Sequence, residues 1–144
     1  MASVTVTADI DATPEQVWAV LANPTTWGDW VEIHQGFAGE APGQFVPGGA
    51  FVQRVRVLNM PADVRWAVVG LQEPVRLELE GAGPMGIGLR AEYGIEQRGK
   101  GSTVSGRMEF KGAAVMMVGP QLETEVGNSL RASLNKLKAR VEAA

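Results

Sequence analysis

The stretch VMMVGPQLETEVGNSLRASLNKLKARV, residues 115–141, decides how the rest of the chain has to fold. Apolar side chains recur at Val118, Leu122, Val126, Leu130, Leu134, Leu137 and Val141, in steps of four with one step of three. That spacing is helical. Steps of four drift slowly around the helix, so the apolar surface is a broad slanted band and not a narrow seam. Glu123 and Glu125 stand early, and Arg131, Lys136, Lys138 and Arg140 stand late, an order that suits the helix macrodipole. A helix of about 25 residues is roughly 38 Å long. Such a rod needs a large concave partner, and the chain before it reads as one curved antiparallel sheet.

Working outward, Ser3–Asp11 alternates Val4, Val6, Ala8 and Ile10 with polar residues, a strand with one buried face. Thr13-Pro14-Glu15-Gln16 is a capping box with proline at the first helical position, and Val17, Trp18 and Leu21 give the short helix its apolar side. Asn23-Pro24 starts a second short turn through Trp27, with Gly28 as its expected end. Six further strands follow: Glu32–Gly39, Phe51–Asn59, Asp63–Leu71, Val75–Glu80, Ile87–Gln97 and Ser102–Phe110. Ala41–Gly49 is a loop. Met60-Pro61-Ala62, Gln72-Glu73-Pro74 and Arg98-Gly99-Lys100-Gly101 are the expected turns. Short connections between consecutive strands predict an antiparallel meander. Helices segregated from strands predict an α+β fold. Gly70, Gly94 and Gly106, inside strands, are candidate bending points.

With 144 residues, 45% hydrophobic and 20% charged, the chain reads as one domain over 1–144 with a real core. The net charge of −3 argues against nonspecific nucleic-acid binding. Absence of cysteine removes disulfides, thiol catalysis and Cys-type zinc sites. The opening residues lack the pattern of a secretory signal, and no apolar run is long enough to span a membrane, so a cytoplasmic location is expected.

Trp18, Trp27 and Trp30 cluster at the predicted end-cap, and Trp66 and Tyr93 lie on the sheet. Met60, Met85, Met108, Met116 and Met117 supply adaptable apolar surface. Filling a core and lining a ligand cavity both fit these residues. Gly127 interrupts the long helix, which reads either as close packing or as room for a ligand beside Leu122 and Leu130. Gly119-Pro120 reads as a kink or restart that gates the mouth of the cavity. His34 is the only histidine. Alternation places it with Glu32 and Gly36, opposite Ile33 and Phe37, hence outward or at an edge. Tyr93 shares a face with Leu89 and Ile95 and is the best inward polar group. Tyr93 and His34 are the two candidates for acid–base chemistry. Arg54, Arg56, Arg65, Arg90 and Arg107 read as a solvated outer face. The other reading turns one of them inward, paired with Glu109 or Gln53. There is no GxSxG, HExxH or P-loop pattern, so neither metal nor cofactor is expected.

The order of elements, with the pieces Asp11-Ala12-Thr13-Pro14-Glu15-Gln16-Val17-Trp18, Asn23-Pro24 with Trp27 and Trp30, and Ser129-Leu130 to Lys138, resembles the START-like superfamily also called SRPBCC, with its polyketide cyclases/dehydrases and lipid-transport proteins. Trp30-Val31-Glu32-Ile33-His34, Asn59-Met60-Pro61 and Val64-Arg65-Trp66 are similar to an actinobacterial branch described as toxins of type II toxin–antitoxin pairs. The resemblance implies a helix-grip fold. A seven-stranded curved antiparallel sheet wraps the C-terminal helix, with two short helices between strands 1 and 2 and an apolar cavity between sheet and helix. It implies binding of a lipid or polyketide-like molecule. The expected ligand-binding residues are Trp18, Trp27, Trp30, Trp66, Tyr93, Met108, Met116, Leu122, Val126 and Leu130. A cyclase, aromatase or dehydratase is the enzymatic alternative. A toxin-like module with a small protein partner, or a homodimer, is the interaction alternative.

Overall fold

Alternating strands and a banded helix assemble here in the expected order, as a computed structural model describing residues 2–143 shows. The strands are β1 (Ala2–Ile10), β2 (His34–Ala38), β3 (Ala50–Val57), β4 (Met60–Gln72), β5 (Arg76–Ala82), β6 (Gly88–Arg98) and β7 (Gly101–Lys111). They form one antiparallel sheet in the order β1-β7-β6-β5-β4-β3-β2. The helices are α1 (Pro14–Leu21), α2 (Trp27–Trp30) and α3 (Val115–Glu142). The first strand closes against the last, with Ala2 opposite Phe110 and Ile10 opposite Ser102. Helix α3 touches β1 at one edge of the sheet and β3 near the other, so the sheet has to curl around it.

Local chemistry explains most boundaries. The capping box is formed: the Thr13 N–H donates to Gln16 Oε1 at 2.9 Å, and the Gln16 N–H donates to Thr13 Oγ1 at 3.2 Å. Asn23 Oδ1 accepts from the Thr25 N–H at 3.1 Å and starts a single 3-10 turn, Pro24–Thr26. The chain then continues as α2 through Gly28, because Trp27 and Trp30, three apart, are both buried on the same side. Glu32 is outside the sheet, since its N–H is held by Ser133 Oγ of α3 at 2.8 Å.

The turn expected at Met60-Pro61-Ala62 falls earlier. Leu58 and Asn59 take φ values of 53° and 58°, forming a two-residue hairpin loop between paired Val57 and Met60. Pro61 is tolerated at the start of β4 because β5 pairs with that strand only from Arg65 onward. Val75, expected as the first residue of a strand, lies in the turn before β5 and is exposed, whereas Leu77 and Leu79, two apart on β5, are buried. The sheet's irregularity in β4 lies between Val68 and Gly70. Gly94 and Gly106 stay in regular register.

The outer face carries the arginines. Arg90 bonds Glu92 at 2.8 Å, Glu80 at 2.6 Å and Glu78 at 3.0 Å. Arg107 pairs with Glu109 at 2.8 Å, and Arg54 with Asp63 at 3.5 Å. No inward arginine meets Gln53, whose partners are Trp66 and His34.

Two glycines measure how tightly α3 is seated. A Cβ at Gly106 would lie 3.0 Å from Leu130 Cδ1, so that glycine lets the helix lie close against β7, next to the β1 edge of the sheet. A Cβ at Gly127 would meet Val4 Cγ1 at 3.7 Å, an ordinary contact. Gly127→Ala is therefore expected to raise stability by about 0.5–1 kcal/mol through helix propensity. Gly106→Val is expected to lower it by about 1–3 kcal/mol through overpacking. Urea midpoints at unchanged slope check both.

Candidate functional site: an apolar groove beside the long helix

The two halves of α3 are held differently. Its C-terminal half is fastened at many points: Lys136 to Glu32, Arg140 to Asp29 at 3.3 Å, Lys138 to the Asp9 carbonyl at 2.8 Å, and Glu142 to the Asp11 N–H at 2.9 Å. Its N-terminal half has carboxylate ties to neighbouring backbone, from Glu123 to the Ser3 N–H at 3.2 Å and from Glu125 to the Leu58 N–H. The first turn has no side-chain cap, and the N–H groups of Val115, Met116 and Met117 reach only three residues back. The helix runs through Gly119-Pro120 without a break, but proline has no N–H to offer the Met116 carbonyl.

A half-open groove of about 360 Å³ lies along this weaker half. Its floor is the inner face of the sheet at Val55, Val64, Leu89 and Phe110. Val118 and Leu122 form the helix side, and Met60, Met85 and Met117 the lip. All seventeen lining residues have apolar side chains or none. The groove lies between the first turns of α3 and the ends of the β3–β4 and β5–β6 hairpins.

Beside the groove, the core holds an aromatic cluster. Trp27 stands among Trp30, Phe37, Phe45 and Phe51, with ring centroids 6.4, 6.2, 5.3 and 6.0 Å away. Trp30 meets Tyr93 edge-on at 5.8 Å. The indole N–H groups are satisfied locally: Trp27 donates to the Leu21 carbonyl and Trp30 to Thr26 Oγ1, each at 3.2 Å. The Trp66 ring lies over Gly81, where a Cβ would come within 2.6 Å of it.

Of the ten residues expected to bind ligand, Leu122 lines the groove. Trp27, Trp30, Trp66, Tyr93, Met108, Val126 and Leu130 are buried in the packed core. Trp18 is buried beside a separate shallow depression with Phe45 and Leu71. Met116 is exposed, next in sequence to Met117 of the lip. The groove's own residues on β3, β4 and β6 escape sequence reading because both faces of Phe51–Leu58 carry apolar residues. Valines and leucines there look identical whether they touch a neighbour or an opening.

His34 lies at the edge of the sheet, on β2, and its half-buried ring turns inward from there. A β-bulge between His34 and Gly36 resets the alternation, which places the imidazole against Phe37 at 4.7 Å and Trp27 at 6.1 Å. Gln53, fully inside, links it to Trp66. The Trp66 indole N–H can only donate, and it reaches Gln53 Oε1 at 2.9 Å. The amide's Nε2 then donates to His34 Nδ1 at 2.9 Å, which assigns the imidazole proton to Nε2. Burial holds His34 below its ordinary value of 6.5. Burial also pushes the Tyr93 phenol up to about 12, so it stays neutral. Among the described residues, no buried side-chain N or O lacks a partner, and no cluster of three or more His, Asp or Glu is placed to hold a metal.

Gln53→Leu leaves the Trp66 N–H unpaired and is expected to cost about 1–3 kcal/mol in a denaturant titration. The His34 shift fixes a pH dependence. A depressed folded value means the unfolded chain takes up the extra proton, so this contribution is complete above 6.5 and is lost as pH falls through that value. Stability measured between about pH 7 and 5 is expected to fall in the parent and to fall less in His34→Phe.

Helix-gripping sheets of this shape occur in known proteins. A START superfamily protein from Mycobacterium smegmatis superposes with a TM-score of 0.77 at 16% identity, covering 99% of both chains. The uncharacterized protein Rv1546 of Mycobacterium tuberculosis is 29% identical over 115 residues, 80% of each chain. Toxin Rv0910 of the same organism is 25% identical over 136 residues, 91% of this chain and 94% of its own. The family model described as polyketide cyclase / dehydrase and lipid transport matches residues 1–142. With the curled seven-stranded sheet closed on its C-terminal helix, the chain belongs to that polyketide cyclase/dehydrase and lipid transport family.

Proposed function

We infer that the chain binds a hydrophobic small molecule, lipid or polyketide-like, in the groove between the N-terminal half of α3 and the β3–β4 and β5–β6 ends of the sheet. The observation that carries this is the lining: a volume of about 360 Å³ with seventeen apolar contributors and no charged side chain. Small-molecule sites typically enclose about 300–1,000 Å³ and are mostly apolar. The family's description, which includes lipid transport, supports the same reading.

The lining also bears on chemistry. A cyclase or dehydratase needs an acid or base within reach of the substrate. Tyr93 and His34, the two candidates, belong to the packed core and to the Gln53 link, and neither lines the groove. Binding without turnover is therefore the reading the groove favours. A second reading starts from the relative named as a toxin and from the exposed methionines at the groove mouth, the apolar surface that a small protein partner would meet. Copurification of a partner coexpressed from a neighbouring gene would support it.

The ligand reading is tested by filling the groove. Ala62 is half-buried and lines it. Ala62→Trp is expected to weaken binding of 1-anilinonaphthalene-8-sulfonate and of long-chain fatty acids by about tenfold or more, with the fold intact by circular dichroism. Equal binding by parent and variant would contradict the site.

A further inference from the structure

Sulfur is concentrated at the mouth of the groove. The chain has no cysteine, so methionine thioethers are its only oxidisable sulfur. Met60, Met85, Met116 and Met117 are 60%, 73%, 83% and 84% exposed, whereas Met108 is 7% exposed. They come from separate parts of the chain: the start of β4, the connection between β5 and β6, and the first turn of α3. Three of them, Met60, Met85 and Met117, nevertheless line one groove. Thioethers are flexible and adapt to irregular apolar ligands, which suits a lip. Accessible thioethers also oxidise first, and the sulfoxide product is polar.

We propose that this lip is an oxidation site that regulates the groove: peroxide converts Met60, Met85 and Met117 to sulfoxides and weakens retention of the apolar ligand. The inference rests on the ligand reading above. A sulfur lone pair attacks one peroxide oxygen. The S–O bond forms as the O–O bond breaks, and the departing hydroxide collects the remaining proton and leaves as water. Sulfur loses two electrons and the peroxide gains them. The new oxygen is a strong acceptor, and no polar side chain lines the groove to receive it. It keeps its water and resists being covered by ligand. Met116, outside the lining, oxidises as readily without affecting binding. Methionine sulfoxide reductases reverse the change.

The test treats the whole chain with hydrogen peroxide, removes the excess with catalase, maps sulfoxides by peptide mass, and titrates with 1-anilinonaphthalene-8-sulfonate. Sulfoxides are expected at Met60, Met85, Met116 and Met117 before Met108, with affinity lowered by about tenfold and restored by reductases acting on both sulfoxide epimers. For the triple variant Met60→Leu, Met85→Leu, Met117→Leu, read against its own affinity before treatment whatever that is, peroxide is expected to cause no loss. Unchanged affinity with all three lip residues oxidised overturns the inference alone, as does equal loss in the triple variant. An untreated chain that binds no probe overturns the ligand reading, and this inference falls with it.

Discussion

The buried apolar band of α3, with Leu130 against the sheet and Leu134 and Leu137 further along it, is the contact on which the rest of the structure depends. Leu134 and Leu137 are fully buried, and each such side chain contributes about 1.5–3 kcal/mol. Leu130 sits directly over Gly106 of β7, a strand flanked by β1 and β6. The absence of a side chain at that single position sets how closely the rod can lie. Once it is seated, β1 and β3 both touch it, and the sheet is committed to its curl.

The same seating creates the asymmetry from which the site arises. Ion pairs around the C-terminal half of α3 are mostly exposed, and each contributes little by itself. Together with Ser133, which fixes the chain at Glu32, they hold that half against α2 and the start of the chain. The other half begins without a cap and loses one backbone bond at Pro120. The groove lies between this half and the β3–β4 and β5–β6 hairpin ends. Space remains where the helix is least constrained, which is also where an entering ligand would need the least rearrangement.

Aromatic packing organises another part of the core. Trp27, Trp30, Phe37, Phe45 and Phe51 interlock, and the Trp66 ring sits against Gly81 with its N–H on Gln53. The polar groups that suggested catalysis are part of this packing. Gln53 is oriented by a donor-only indole and in turn orients His34, so the histidine serves the core's polar accounting. The ligand reading depends on the apolar groove beside the N-terminal half of α3.

The fold was legible because its signals are local and periodic. Steps of four in residues 115–141 gave the helix, alternation gave the strands, and Thr13 and Gln16 gave the start of α1 to the residue. The site was much less legible. Leu122 belongs to the groove and Leu130 to the core, yet the two occupy equivalent places in the helical pattern. Burial pattern records which face of an element is apolar, and it carries no information on whether a neighbour fills the space opposite. One inserted residue in β2, the edge strand, turned the half-buried His34 ring toward Phe37 and Trp27. The sequence by itself determined the elements, their order and the family. Tertiary structure alone decided the side to which His34 turns and the end at which the interior stays open, because both depend on how surfaces distant in the chain meet.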